Sequence, residues 1–87
     1  MIKIKYFFSD YCQGCMELNP IIKKISNEGY NVEFIDVQND EGKTFKKYGV
    51  ANVPTTVIIK NEKPVLWFIG TKQKDNILKK VKEINGI

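Results

Sequence analysis

The stretch Ile2-Lys3-Ile4-Lys5-Tyr6-Phe7-Phe8-Ser9-Asp10-Tyr11-Cys12-Gln13-Gly14-Cys15 decides how the rest of the chain is read. Ile2 to Phe8 is an apolar, aromatic-rich run and reads as a strand. Ser9-Asp10-Tyr11 makes a turn, and a helix begins near Cys12. Beyond it Met16, Leu18, Ile21, Ile22 and Ile25 recur at helical spacing and predict an apolar face up to Asn27. A Cys-x-x-Cys pair thus stands at a strand-to-helix turn. Backbone N–H groups and the macrodipole at a helix start stabilise a thiolate. The first cysteine then becomes a nucleophile near neutral pH, and the second waits one turn away to displace what it captures.

Further elements follow on both sides of turn residues. Pro20 lies inside the first helix, where it removes a backbone donor and is expected to kink the axis. Gly29 ends that helix. Val32 to Val37 reads as a second strand. Asn39-Asp40-Glu41 caps a short helix from about Gly42 to Tyr48, closed by Gly49. Thr55 to Lys60 is a third strand, Asn61-Glu62-Lys63 a hairpin turn, and Pro64 to Ile69 a fourth strand. A last helix from about Gln73 to Ile84 turns Ile77, Leu78, Val81 and Ile84 inward. The order β-α-β-α-β-β-α makes the first two strands parallel and the last two an antiparallel hairpin. The expected fold is α/β, a four-stranded mixed sheet with helices on both faces.

The chain has 87 residues, 43% of them hydrophobic, which fits one globular domain over 1–87. No apolar run approaches the roughly 18–20 residues of a membrane span, and Met1 to Phe8 has no signal-peptide pattern. A cytoplasmic place is the expectation, and there an isolated cysteine pair is catalytic or metal-binding rather than a structural staple. The net charge is +4, from fourteen lysines and no arginine against ten acids. The lysines are spread, Asp75 and Glu83 interleave with the group on the last helix, and bidentate arginine contacts to bases are unavailable. The charge therefore reads as a solvated surface, with no nucleic acid and no membrane as partner.

Cys12 and Cys15 are the only cysteines, and there is no histidine. Zinc and iron–sulfur sites need about four sulfur or histidine ligands. A closed metal site within one chain would need carboxylates as substitutes, and a metal bridging two chains stays open. Thiol acyl-transfer enzymes need an imidazole base that does not exist here. Activation must come from the helix start and the neighbouring thiol. Val53-Pro54-Thr55-Thr56 is the second feature, a proline opening a strand, which by base rates is trans.

Several landmarks, in order, resemble the thioredoxin family from Phe7 to Ile84. Phe8-Ser9-Asp10-Tyr11-Cys12-Gln13-Gly14-Cys15 is similar to its aromatic-x-acid-aromatic-Cys-Gly-Pro-Cys segment. Pro20 falls where members carry a helix proline. Tyr48-Gly49-Val50 with Val53-Pro54-Thr55 resembles the stretch containing the family's cis proline, and Ile69-Gly70 its glycine facing the active site. The resemblance implies a thioredoxin-like fold in minimal form, since the chain begins at the cysteine-bearing strand and lacks the usual preceding strand and helix. It implies a thiol–disulfide oxidoreductase. Cys12 attacks a protein disulfide, Cys15 resolves the mixed disulfide, and a Cys12–Cys15 disulfide is the only redox group, with no cofactor or metal. Tyr11, Gln13, Gly14, Val53, Pro54, Gly70 and Thr71 would receive the substrate. Trp67 and Phe68 read as core or sheet surface. The partners implied are disulfide-containing proteins and an electron donor like thioredoxin reductase, and the protein would act as a monomer.

Several positions depart from the family, Tyr11 standing where members carry tryptophan. The dipeptide between the cysteines is Gln13-Gly14. The buried acid of the family falls at Tyr6 and its lysine partner at Phe34, which leaves water or Glu17 to move the proton of the resolving thiol. A glutathione-coupled role like that of glutaredoxins is the alternative, but Ile69-Gly70-Thr71-Lys72-Gln73-Lys74-Asp75 lacks the Gly-Gly then Asp pattern, and Val53-Pro54-Thr55 looks more like thioredoxin. A binding module with a non-catalytic dithiol is the remaining reading.

Overall fold

The computed structural model describes residues 2–40, 46–71 and 74–86, with the backbone alone at Lys74, Asp75 and Asn85. Strand β1 spans Ile2–Phe8, helix α1 Gln13–Asn27, β2 Asn31–Asp36, β3 Thr55–Lys60, β4 Lys63–Ile69 and helix α2 Lys74–Asn85. The expected short helix from Gly42 to Tyr48 and its cap at Glu41 lie largely outside the described residues. Residues 46 and 47 are helical, and Gly49 closes that turn with φ +69°. The expected start of the last helix at Gln73 also lies outside them.

The sheet order is β2-β1-β3-β4, with β1 and β2 parallel and β3 antiparallel to both β1 and β4. Side chains alternate across each strand, so β1 feeds two cores. Ile2, Ile4 and Tyr6 meet Leu18, Ile22 and Ile25 of α1 and Ile77 and Val81 of α2. Phe7 points the other way, to Ile35, Val50, Val57 and Ile59, with Tyr48 and Val53 packed on them. The inner strand β3 is buried from Thr55 to Ile59, as expected of a strand covered on both faces.

One expectation about α1 needs correction. Met16 is not part of the buried face: it is 68% exposed. The inward residues are Cys15, Leu18, Ile22 and Ile25, spaced three, four and three apart, and Met16 lies about 100° round the helix from Cys15. Pro20 sits within an α1 that continues through it for seven more residues to Asn27. The carbonyl that loses its donor is that of Met16, four residues back.

The hairpin between β3 and β4 is tighter than expected, a two-residue loop of Asn61 and Glu62 with φ +52° and +69°. Such a loop matches the twist of the strands only with positive φ at both positions. Asparagine tolerates that region, whereas glutamate there costs roughly 1 kcal/mol. Glu62→Gly is therefore expected to stabilise the fold by about 1 kcal/mol in urea unfolding. A loss of stability would mean that the glutamate side chain holds the turn.

Candidate active site

The chain leaves the C-terminal end of β1 and turns at once. The Cys12 N–H donates to the Ser9 carbonyl at 3.3 Å, and the Tyr11 N–H to Ser9 Oγ at 3.4 Å. Cys12 itself is the N-cap of α1. Its backbone is extended (φ −104°, ψ 113°), and its Sγ accepts from the Cys15 N–H at 3.1 Å. A sulfur thus takes the place usually filled by a serine or aspartate oxygen, satisfying one of the orphan donors of the first turn. No acidic residue occupies that turn. The dipole and the N–H therefore act on Cys12 without a neutralising carboxylate in the same turn. Asp10, the nearest acid in sequence, is exposed to solvent, which screens its charge.

Cys12 and Cys15 are joined as a disulfide, with Cα atoms 5.1 Å apart. The two differ in access. Cys12 is half-buried at the surface, whereas Cys15 is 1% exposed and faces the core. Tyr11 projects beside them, 88% exposed, and Gln13 is exposed as well.

Two further segments, around Pro54 and at Gly70 and Thr71, close on the turn between the cysteines. The Val53–Pro54 peptide is cis, against the base-rate expectation and in line with the resemblance. Pro54 is buried against the turn between the cysteines. A Cβ built on Gly14 would lie 3.2 Å from Pro54 Cδ and 3.3 Å from Thr71 Cγ2, so glycine is what allows this approach. The Pro54 carbonyl accepts from the Gly70 N–H at 2.8 Å, and Gly70 has φ +76°. Thr55 Oγ1 donates to the Asn52 carbonyl at 2.6 Å, fixing the entry into β3. Of the residues singled out in the sequence, Gly14, Pro54, Gly70 and Thr71 meet in contact, Val53 adjoins them, and Tyr11 and Gln13 stand at the rim.

Behind Cys15 the structure differs from the expectation about proton transfer. Glu17 is exposed to solvent and does not enter the buried space. Tyr6 and Phe34 are register partners on β1 and β2, and their rings meet edge to face at 5.8 Å. The Tyr6 hydroxyl lies 2.6 Å from Asn19 Oδ1 and 3.2 Å from the Cys15 carbonyl. Burial pushes the Tyr6 hydroxyl pKa up to about 12 from its ordinary 10.0, so it stays a neutral donor at physiological pH. Asn19 was not singled out in the sequence. Its one signal is its place four residues after Cys15, on the same side of α1. Among the described residues no group of three or more histidine, cysteine, aspartate or glutamate side chains gathers for a metal, and no helix is long and apolar enough to cross a membrane.

Known proteins resemble this chain in sequence and in fold. The thioredoxin family matches residues 2–83. A thioredoxin of Chlorobaculum thiosulfatiphilum is 33% identical over 82 residues, covering 92% of this chain and 76% of that protein. One of Rickettsia typhi is 36% identical over 74 residues, covering 83% of this chain and 70% of that protein. Among solved structures, thioredoxin from Trypanosoma brucei brucei superposes with a TM-score of 0.88 at 20% identity, over 100% of this chain and 77% of that one. That likeness is one of fold. Because the match runs through the dithiol, Pro54 and Gly70 alike, this chain belongs to the thioredoxin family and is a thiol–disulfide oxidoreductase.

Proposed function

We propose that this chain, acting as one domain, reduces disulfides in proteins, with Cys12 as the attacking thiol and Cys15 as the resolving one. The difference in access between the two sulfurs carries the assignment. Cys12 lies at the surface on the first N–H groups of α1, and Cys15 is buried behind it. The Cys12 thiolate attacks one sulfur of the substrate disulfide. The other substrate sulfur leaves as a thiolate and takes a proton from water. The Cys15 thiolate then attacks Cys12 Sγ, the second substrate sulfur departs, and the Cys12–Cys15 disulfide remains. Two electrons have moved from the dithiol to the substrate. A reductase returns them, as the family implies.

The substrate segment lies extended across Val53, whose N–H and carbonyl make no hydrogen bond among the described residues. That leaves them to pair with a peptide as a neighbouring strand would. Beside Val53 an apolar hollow of about 170 Å³, lined by Val37, Val50, Ala51 and Asn52 as well, accepts a side chain next to the substrate cysteine. Tyr11, Gln13, Gly14, Gly70 and Thr71 complete the surface around Pro54. The dithiol is the only redox group of this mechanism, and neither a cofactor nor a metal takes part. The protein works as a monomer in the cytoplasm, where thiols are kept reduced and a dithiol of this kind is recharged.

Trapping tests the roles. Cys15→Ser is expected to accumulate a mixed disulfide through Cys12, seen as a mass increase that a reducing agent reverses, and Cys12→Ser is not. Accumulation in Cys12→Ser alone would reverse the assignment.

A further inference from the structure

Thr56 carries the one buried side-chain oxygen or nitrogen that lacks a hydrogen-bond partner among the described residues. The residue is fully buried. An unpaired buried hydroxyl is destabilising, and folded proteins keep few of them. The place of this one gives it a use. Two contacts of the turn that holds Cys15 involve neighbours of Thr56 in sequence or register. Gly14 abuts Pro54, two residues before Thr56. The Cys15 carbonyl meets the hydroxyl of Tyr6, which is the register partner of Thr56 across β1 and β3. Thr56 and Tyr6 therefore share the face of the sheet that lies under Cys15, with side chains about 5 Å apart at their bases.

Cys15 Sγ is bonded to Cys12 in the oxidised state. Reduction releases it as a thiol or thiolate at a site that is 1% exposed. A sulfur carrying charge in such surroundings needs a hydrogen-bond donor. Tyr6 is already committed to Asn19 and the Cys15 carbonyl. The chain has no histidine, and Glu17 faces solvent. The Thr56 hydroxyl is the donor left over.

We propose that the Thr56 hydroxyl donates a hydrogen bond to the sulfur of Cys15 when the pair is reduced, and so sets the balance between dithiol and disulfide. In the oxidised state the Thr56 hydroxyl makes no hydrogen bond to Cys15 Sγ or to any other described atom. The inference rests on the dithiol exchange proposed above. Removing the hydroxyl weakens the reduced state alone, so the pair becomes a stronger reductant.

Equilibration with glutathione buffers, read by thiol counting, tests this on the full chain. Thr56→Val keeps the shape and loses the hydroxyl. It is expected to shift the equilibrium about tenfold toward the Cys12–Cys15 disulfide, or ~30 mV lower in potential. Its oxidised form should melt no lower than wild type, whereas its reduced form should melt lower. Thr56→Ser, which restores the hydroxyl, should return the equilibrium to the wild-type value. Thr56→Ala gives the same reading should valine not fold. An equilibrium within twofold of wild type in Thr56→Val or Thr56→Ala overturns the proposal, as does an equal loss of melting temperature in both redox states. Wild type in the same buffers separates the two levels. If it forms no disulfide, the dithiol reading falls and this proposal with it. If it cycles normally while Thr56→Val matches it, only the role of Thr56 falls.

Discussion

Cys12→Ser is expected to abolish disulfide reduction, by on the order of 10⁴-fold or more, as removal of a nucleophile does in other covalent enzymes. The reason is chemical and local. A serine hydroxyl ionises far above neutral pH, and the helix start that favours a thiolate cannot bring it into range. The fold should not suffer. Cys12 caps α1 through its side chain, and serine is among the best capping residues. Circular dichroism and the melting temperature should therefore stay near those of reduced wild type while activity is lost. Residual activity above one per cent of wild type would mean that another group attacks the substrate. Collapse of the fold together with activity would mean that the sulfur serves α1 more than the chemistry.

Tyr6→Ala is expected to destabilise the protein by about 3–5 kcal/mol, a large share of the 5–15 kcal/mol that holds a domain together. The ring is fully buried in the core between β1 and α1, stacked with Phe8 at 5.7 Å and edge-on to Phe34. Its hydroxyl ties the turn of Cys15 to the sheet. Tyr6→Phe separates the two contributions. It keeps the ring, loses the hydroxyl and should cost about 1–1.5 kcal/mol, or roughly 4–12 °C in melting temperature at this size. An alkaline signature accompanies it. The folded state holds the Tyr6 proton up to pH about 12, whereas an unfolded tyrosine loses it near 10.0. The contribution of this group is thus complete below pH 10 and lost as pH rises toward 12. The stability of Tyr6→Phe should fall less steeply than that of wild type over that window, as urea titrations at each pH would show. Parallel curves would mean that the hydroxyl is not held neutral by burial.

The local features of this fold were open to reading in the sequence. β1 and β3 fall on the residues expected, because runs such as Thr55 to Lys60 between turn residues have few other uses. Cys12 at the head of α1 followed from the spacing alone. The arrangement of strands was less accessible. The pairing of β1 with β3 joins segments some fifty residues apart, and no local pattern encodes it. Met16 was placed on the wrong side because one apolar residue beside a buried cysteine fits either edge of a helical stripe, and only packing decides. Asn19 and Thr56 were silent for a related reason. A polar residue declares nothing about burial until the elements around it have closed, and the roles of both depend on Tyr6 reaching across to α1. Pro54 was legible only through the resemblance, since a proline that opens a strand is trans by default.

The reduction potential of the Cys12–Cys15 pair, measured against glutathione buffers with thiols counted by mass, bears most directly on the central claim. A reductant of protein disulfides should show a value near or below about −250 mV. A value of about −120 to −200 mV would assign the protein to oxidation, isomerisation or glutathione-coupled exchange instead, and failure of the two cysteines to join would contradict the account outright.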